Sequence, residues 1–347
     1  MSSTVSRRAV LTGAVAGAVT VAGTATAAVR RTRPAGRSGP HQPGIVTPAL
    51  PYLSLAGFDV VVRGRDALAG LLRTWTGAAE QLTAAGTDLT LTFGFGPSLF
   101  AGDRFGIGDR RPASLVPLPS FPDESIDPAA GNGDLCVQAC AGDPTTAHHA
   151  VRALLNAARA EVSLRWRQTG FRTGDGTFDP PGLFGFRDGT VNLDVALQAP
   201  HLWVDDGPDW LHGGSYLVMR RIRLLLDTWD RTDRATQEAM IGRDRDTNRR
   251  LAVPTSHTAL AAPAANGGAT MLRRSYSYDA GTDPNGLMDA GLIFLSYQRD
   301  PAQIVAVQRR LAAHDPLNGF SQHLAGGVYA CPPGVRPGSF LGSELLS

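Results

Sequence analysis

SLAGFDVVVRGRDALAGLLRTWTGAAEQL, residues 54–82, changes its hydrophobic period partway along, and the order of elements is read outward from that change. Residues 54–63 carry Phe58, Val60, Val61 and Val62 and read as a strand. From 66 to 83, Leu68, Leu71, Leu72, Trp75, Ala79 and Leu82 recur every three or four positions, on one helical face. Residues 87–93 alternate, with Leu89, Leu91 and Phe93 on one side of a strand. After a Pro/Gly-rich loop, residues 135–140 read as a strand. Val151, Leu154, Leu155 and Ala158 mark a helix, and 162–166 form another strand. The order is β-α-β-β-α-β.

The second half repeats this order. Residues 215–226 read as a strand and 233–241 as a short helix. Strands follow at 271–278 and 292–297, then a helix at 302–311 and a closing strand at 327–331. The expectation is an α+β protein of two ferredoxin-like halves, 51–172 and 173–347, with their antiparallel sheets packed together and helices outside. A crevice between the halves is the natural ligand site.

Composition agrees with a folded chain. Its 347 residues suffice for roughly two domains. Apolar residues make up 43% and charged residues 18%, which excludes disorder as the general state. Every basic residue is Arg, and the formal charge is only +2 with no basic cluster, so nucleic acid is not expected as a partner. No apolar run after the first 30 positions is long enough to span a membrane.

Residues 1–27 have a different character. Arg7-Arg8 precede a mildly apolar stretch that ends in the small-x-small site Ala25-Thr26-Ala27. This resembles a twin-arginine export signal, followed by a flexible lead-in over 28–50. The resemblance implies delivery by the twin-arginine machinery to the cell envelope or beyond it, the periplasm in a Gram-negative source. It also implies cargo that folds, often around a cofactor, before export. Cys136, Cys140 and Cys331 are odd in number, and four residues along a strand span about 13 Å, too far for a disulfide. Three small buried residues are expected, with no zinc pattern.

Chemistry-bearing residues are few. Asp188 lies in GFRDGTVN, residues 185–192, and an Asp beside Gly in a loop is ordinarily a turn former. His257 ends PTSH in a second loop, where a single His is ordinarily structural or solvated. Arg273 and Arg274 begin the strand MLRRSYSY. An acid, a His and an Arg from separate elements can converge on a cofactor, although spacing alone does not bring them together.

Nine stretches, taken in order, are more specific. They are HQPGIVTP from His41, TFGFGPSLF from Thr92, FPDESIDP from Phe121, GDLCVQACAGDP from Gly133 and LFGFRDGTVN from Leu183. GGSYLVMRRIRLLLDTWDR from Gly213, IGR from Ile241, NGGATMLRRSYSYDAGTD from Asn266 and DAGLIFLSYQRDP from Asp289 complete the set. Together they closely resemble the dye-decolorising peroxidases, in the exported subgroup that includes deferrochelatases, over nearly the whole chain after the signal.

That resemblance implies a dimeric α+β barrel type of domain with haem b between its halves. His257 matches the proximal iron ligand, Asp188 the distal acid and Arg273 the distal arginine. Gly189, Thr190 and Val191 would border the haem, as would Ala262, Pro263 and Ala264 in the loop after the ligand. Asp289 is the candidate carboxylate for the other ring nitrogen of His257. Met271 and Phe294 are expected in core or pocket wall. Two positions depart from the family pattern: Ala259 stands where an Arg is common, and Asn248 where a Gly is usual.

The implied reaction reduces hydrogen peroxide and oxidises bulky organic reductants such as dyes, via a ferryl intermediate. Asp188 would move the peroxide proton and Arg273 would stabilise developing negative charge. A carboxylate with an ordinary value near 3.9 stays ionised in acid where a distal His near 6.5 would not, so an optimum around pH 4 to 5 is expected. Electrons from bulky dyes would travel through Trp or Tyr, with none of the five Trp singled out. The alternatives are a deferrochelatase that releases iron from haem in an iron-uptake system with its partners, and a non-catalytic haem carrier, which would not need Asp188 with Arg273. The resemblance also allows a homo-oligomer.

Overall fold

The computed structural model describes residues 39–347 apart from 85, 87, 174–180, 189–191, 193 and 194. The export signal, the start of the lead-in, and Gly189, Thr190 and Val191 lie outside the described residues.

In the first half, β1 (Tyr52–Val60), α1 (Arg65–Ala84), β2 (Leu89–Phe95), β3 (Leu135–Ala141), α2 (Pro144–Ala157) and β4 (Val162–Phe171) follow one another. Their strands lie in the order β2-β3-β1-β4, all antiparallel. α1 buries Leu68, Leu71, Leu72, Trp75 and Ala79, the face expected from their spacing. α2 begins seven residues before its first periodic Val. Asp143 caps it by accepting the Thr146 N–H at 2.9 Å, and Pro144 occupies the first turn, where no N–H is needed.

After α3 (Val195–Leu202), the second half contains β5 (Ser215–Leu224), α4 (Leu226–Asp230), α5 (Arg234–Ile241) and α6 (His257–Leu260). β6 (Leu272–Arg273), β7 (Tyr276–Thr282), β8 (Met288–Gln298), α7 (Ala302–His314) and β9 (Ser321–Cys331) complete it. The strand expected over 271–278 is two strands. β6 sets Leu272 and Arg273 opposite Tyr297 and Ser296, and β7 begins only where Tyr276 meets Ile293.

β5 pairs with both β9 and β8, β9 meets β2, and β4 meets β7, so eight strands close into a barrel with β6 added beside β8. This is an α+β fold with a closed β-barrel sheet. Two of the joins are narrow: Phe95 with Ala330, and Phe171 with Ser277. Packing therefore contributes most of the closure. Leu53, Leu55 and Trp166 from the first half interleave with Met219, Leu295, Tyr297 and Tyr329 from the second, all buried. Cys136, Cys140 and Cys331 lie in the same core as free thiols, and burial pushes all three up in pKa. Because side chains fill the space between the two halves of the sheet, the crevice expected there is not where a ligand fits.

Candidate active site

Antiparallel pairing places Arg220 opposite Phe294 and Ile222 opposite Leu292, so these side chains share one face of the β5–β8 ladder. That face, the inner side of α7 (Ile304, Val307, Leu311) and α6 bound a cavity of about 380 Å³. Among the described residues, only Leu118 and Phe121 reach its wall from the first half. The cavity thus lies on the outer face of the second-half sheet, which corrects the expectation of a site between the halves. His257, Asp188 and Arg273, three separate positions in the chain, all line it. Met271 and Phe294 are wall residues, as expected.

His257 opens α6, and its placement starts with Gly242. This glycine ends α5 at φ +86°, a left-handed conformation that favours glycine. A Cβ there would lie 2.2 Å from Ser256 Oγ and 2.6 Å from Thr258 Oγ1, so only Gly allows the His257 turn to pack this closely. Ser256, buried, donates its hydroxyl to the Val253 carbonyl at 2.7 Å. His257 Nδ1 donates to Asp315 Oδ2 at 2.5 Å. Asp315 is buried at the end of α7, where its other oxygen accepts the Leu317 N–H at 3.0 Å. An acceptor-only carboxylate fixes the proton on Nδ1 and leaves the Nε2 lone pair available.

The expected partner was Asp289, and that expectation is corrected. Asp289 lies on β8, where it accepts from Arg221 at 2.7 Å and from the Tyr278 hydroxyl at 3.0 Å. Its carboxylate is occupied at another end of the strand.

In the same cavity, Arg273 Nη1 is 3.4 Å from Asp188 Oδ1. The backbone of Arg273 is held by Asn192, whose side-chain oxygen accepts the Arg273 N–H at 2.9 Å and whose NH₂ donates to its carbonyl at 2.8 Å. Asn192 so replaces a strand partner for the two-residue β6. The Asp188 loop rests on an aromatic cluster of Phe184, Phe186, Trp229 and Phe320. Gly182 donates its N–H to the Phe186 carbonyl at 2.9 Å, closing the turn before Asp188.

Arg243 and Arg250 supply positive charge to the same cavity. Burial, then the neighbouring Arg250 and Arg273 cations, push Arg243 down from its ordinary value. Its Nε is buried and, among the described residues, has no hydrogen-bond partner. Ala259 brings no further cation. Asn248 takes the family's glycine position at φ +58°, a conformation that Asn tolerates, and its carbonyl accepts from Arg243 at 2.8 Å. Of the loop expected to border a cofactor, Ala262 and Pro263 line the cavity. Ala264 is exposed and is not on the wall.

A family model described as Dyp-type peroxidase, N-terminal, matches residues 42–172, and one described as Dyp-type peroxidase, C-terminal, matches residues 179–336. The chain belongs to the DyP-type peroxidase family. Among curated relatives it is 35% identical to a dye-decolorizing peroxidase of Thermobifida fusca, over 88% of this chain and 83% of that one. It is 32% identical to a deferrochelatase of Escherichia coli, over 89% and 86%. Solved structures resemble it as well. An oxyferrous/water mixed complex of DtpA from Streptomyces lividans superposes with a TM-score of 0.85 at 36% identity, covering 90% of this chain and 97% of that one. A DyP-type peroxidase from Cellulomonas bogoriensis gives 0.83 at 38%, covering 89% and 97%.

Four residues of this DyP-type site escaped the sequence reading. Asp315 stands before Pro316, where an Asp reads as a helix cap, and it is one. Asn192 was quoted as part of a motif, without a role. Arg243 and Arg250 lie in the segment IGRDRDTNRRL, residues 241–251, whose pattern assigns neither of them a place in the site.

Proposed function

We propose that His257 is the axial ligand of the iron, and that Asp188 and Arg273 act on the opposite face as the proton carrier and the charge stabiliser. The protein is a DyP-type peroxidase with haem b as cofactor, using peroxide to oxidise organic substrates. The observation that carries the residue assignments is the convergence of His257, Asp188 and Arg273 on one cavity, with His257 oriented by a buried carboxylate.

The cavity suits a haem. Its walls are largely apolar, and burial together with the neighbouring Arg250 and Arg273 cations pushes Arg243 down from its ordinary value. The orphaned Arg243 Nε awaits an acceptor, and the propionates of a haem would supply both acceptor and charge. Bound haem b supplies an iron that takes oxidising equivalents from peroxide and yields them singly to reductants. His257 Nε2 would hold that iron, with Nδ1–H donated to Asp315 to raise the ring's basicity. Asp188 Oδ1 takes the proton from the inner oxygen of peroxide and returns it to the outer one, so that water can leave. Arg273 Nη1, beside the same carboxylate, holds the negative charge that builds as the O–O bond lengthens.

The same reading takes the chain as two ferredoxin-like repeats, 51–172 and 173–347. Its support is the shared strand order, β2-β3-β1-β4 in one and β9-β5-β8-β7 in the other. Export rests on Arg7-Arg8 and Ala25-Thr26-Ala27. A homo-oligomer and partners in iron uptake are carried by the family resemblance alone. Asp188 paired with Arg273 favours peroxide chemistry over a carrier role.

The test is steady-state peroxide turnover. Asp188→Asn should lose at least about 100-fold in kcat/KM for peroxide, the ordinary weight of a positioned general base. Arg273→Leu should lose a comparable factor while haem content stays unchanged. Full activity in Asp188→Asn would remove Asp188 from the mechanism.

A further inference from the structure

We propose that a basic groove on the outer face of α7 is a docking site for anionic aromatic reductants, the arene sulfonates in particular. This rests on the peroxidase reading above and adds only the point at which anionic aromatic reductants make contact. The groove, about 450 Å³, is lined by Ala306, Arg309, Arg310, Ala313 and His314 of α7 and by residues 265–267. None of these is acidic. Arg309, Arg310 and His314 are exposed, and among the described residues no carboxylate lies within ion-pair distance of them. Ala306, Ala313 and Gly267 are small enough to leave a floor on which a flat ring can lie.

The second observation is where the groove lies. Ile304, Val307 and Leu311 line the cavity with one face of α7, while Ala306, Arg309, Arg310 and Ala313 line the groove with another. Cavity and groove are therefore separated by a single helix, about 10 Å across. Both ends of the groove lead toward the ligand histidine. His314 immediately precedes Asp315, the acceptor of the His257 N–H. Asn266 holds the loop after α6 by donating to the Leu260 and Ala262 carbonyls, each at 2.8 Å.

A haem seated on His257 would occupy the space enclosed by α6, α7 and the β5–β8 face, and a bulky dye would meet the protein at its outer surface. Such a reductant has to give up its electron from outside, and this groove offers attraction for anions beside the site. The step is balanced: the docked arene loses one electron and becomes a radical, the peroxide-oxidised enzyme gains that electron, and no proton or bond moves in the groove.

The experiment measures direct binding of ABTS, a disulfonated arene, to the haem-loaded protein without peroxide, by equilibrium dialysis across a salt series. Steady-state oxidation of ABTS and of guaiacol, a neutral phenol, is measured alongside. In the Arg309→Ala/Arg310→Ala variant, ABTS affinity should fall at least tenfold and lose its salt dependence. KM for ABTS should rise by a similar factor, with guaiacol oxidation retained. Ala306→Trp, which fills the groove and keeps its charges, should weaken ABTS binding as well and decides the matter should the double variant not fold. ABTS affinity and KM within twofold of the parent in a folded variant would overturn the proposal. A parent that oxidises neither ABTS nor guaiacol would instead overturn the peroxidase reading on which it rests.

Discussion

At the scale of single residues, Asp315 performs two tasks that can be separated. One oxygen caps the turn after α7 and the other orients His257. Asn is as good a cap as Asp but lacks the negative charge, so Asp315→Asn keeps the turn and weakens the polarisation of the histidine. The expected outcome is a loss of about 10- to 100-fold in haem affinity or peroxide turnover with little change in unfolding temperature. A loss of stability with unchanged haem affinity would make Asp315 structural only. A second buried charge is Arg220, which pairs with Glu124. Removing that carboxylate leaves a buried guanidinium uncompensated, so Glu124→Ala should cost about 3–5 kcal/mol in urea unfolding, whereas a cost under about 1 kcal/mol would show that the pair is solvated.

At the scale of elements, the sequence reading succeeded where hydrophobic period is long and failed where a contact replaces a ladder. α1 and the strands of the first half follow their apolar spacing closely. The break between β6 and β7 escaped: Leu272 and Arg273 pair with β8 as a strand should, but the other edge of Arg273 is held by Asn192, 81 residues away, which the strand's own pattern does not show. Asp188, His257 and Arg273 were legible through family motifs. Asp315 was not, because a cap and a histidine partner use the same residue type. The turn that presents His257 depends on Gly242, whose φ of +86° and closeness to Ser256 admit no Cβ. Gly242→Ala is expected to destabilise the protein by more than about 1 kcal/mol and to lower haem retention, read together by thermal unfolding and absorbance. Parent-like haem retention at parent stability would show that the loop relaxes freely.

The whole molecule keeps its two halves together by a shared core and two narrow strand joins, and its ligand space on an outer face of the barrel. Acid acts on that arrangement through His323, which lines the cavity and donates no charge to it. Burial, with Arg220 beside it, pushes His323 from its ordinary 6.5 down to about 3. Between those values the unfolded chain binds a proton that the folded chain lacks, so stability is unaffected by this group above pH 6.5 and falls as the pH drops below it. The slope should approach but not exceed about 1.4 kcal/mol per pH unit. Urea unfolding at about pH 5 and about pH 7 should show the fall in the parent and a shallower one in His323→Gln; equal slopes would place the acid sensitivity elsewhere.

The central claim is that the cavity holds a haem on His257 and reacts it with peroxide. Its most direct test is the absorption spectrum of the purified protein, before and after one equivalent of hydrogen peroxide, beside His257→Ala. The expected result is a ferric Soret band that changes within seconds of peroxide addition, returns when a reductant is added, and is lost or strongly shifted in His257→Ala. A parent that takes up no haem on reconstitution, or a Soret band identical in His257→Ala, would contradict the account.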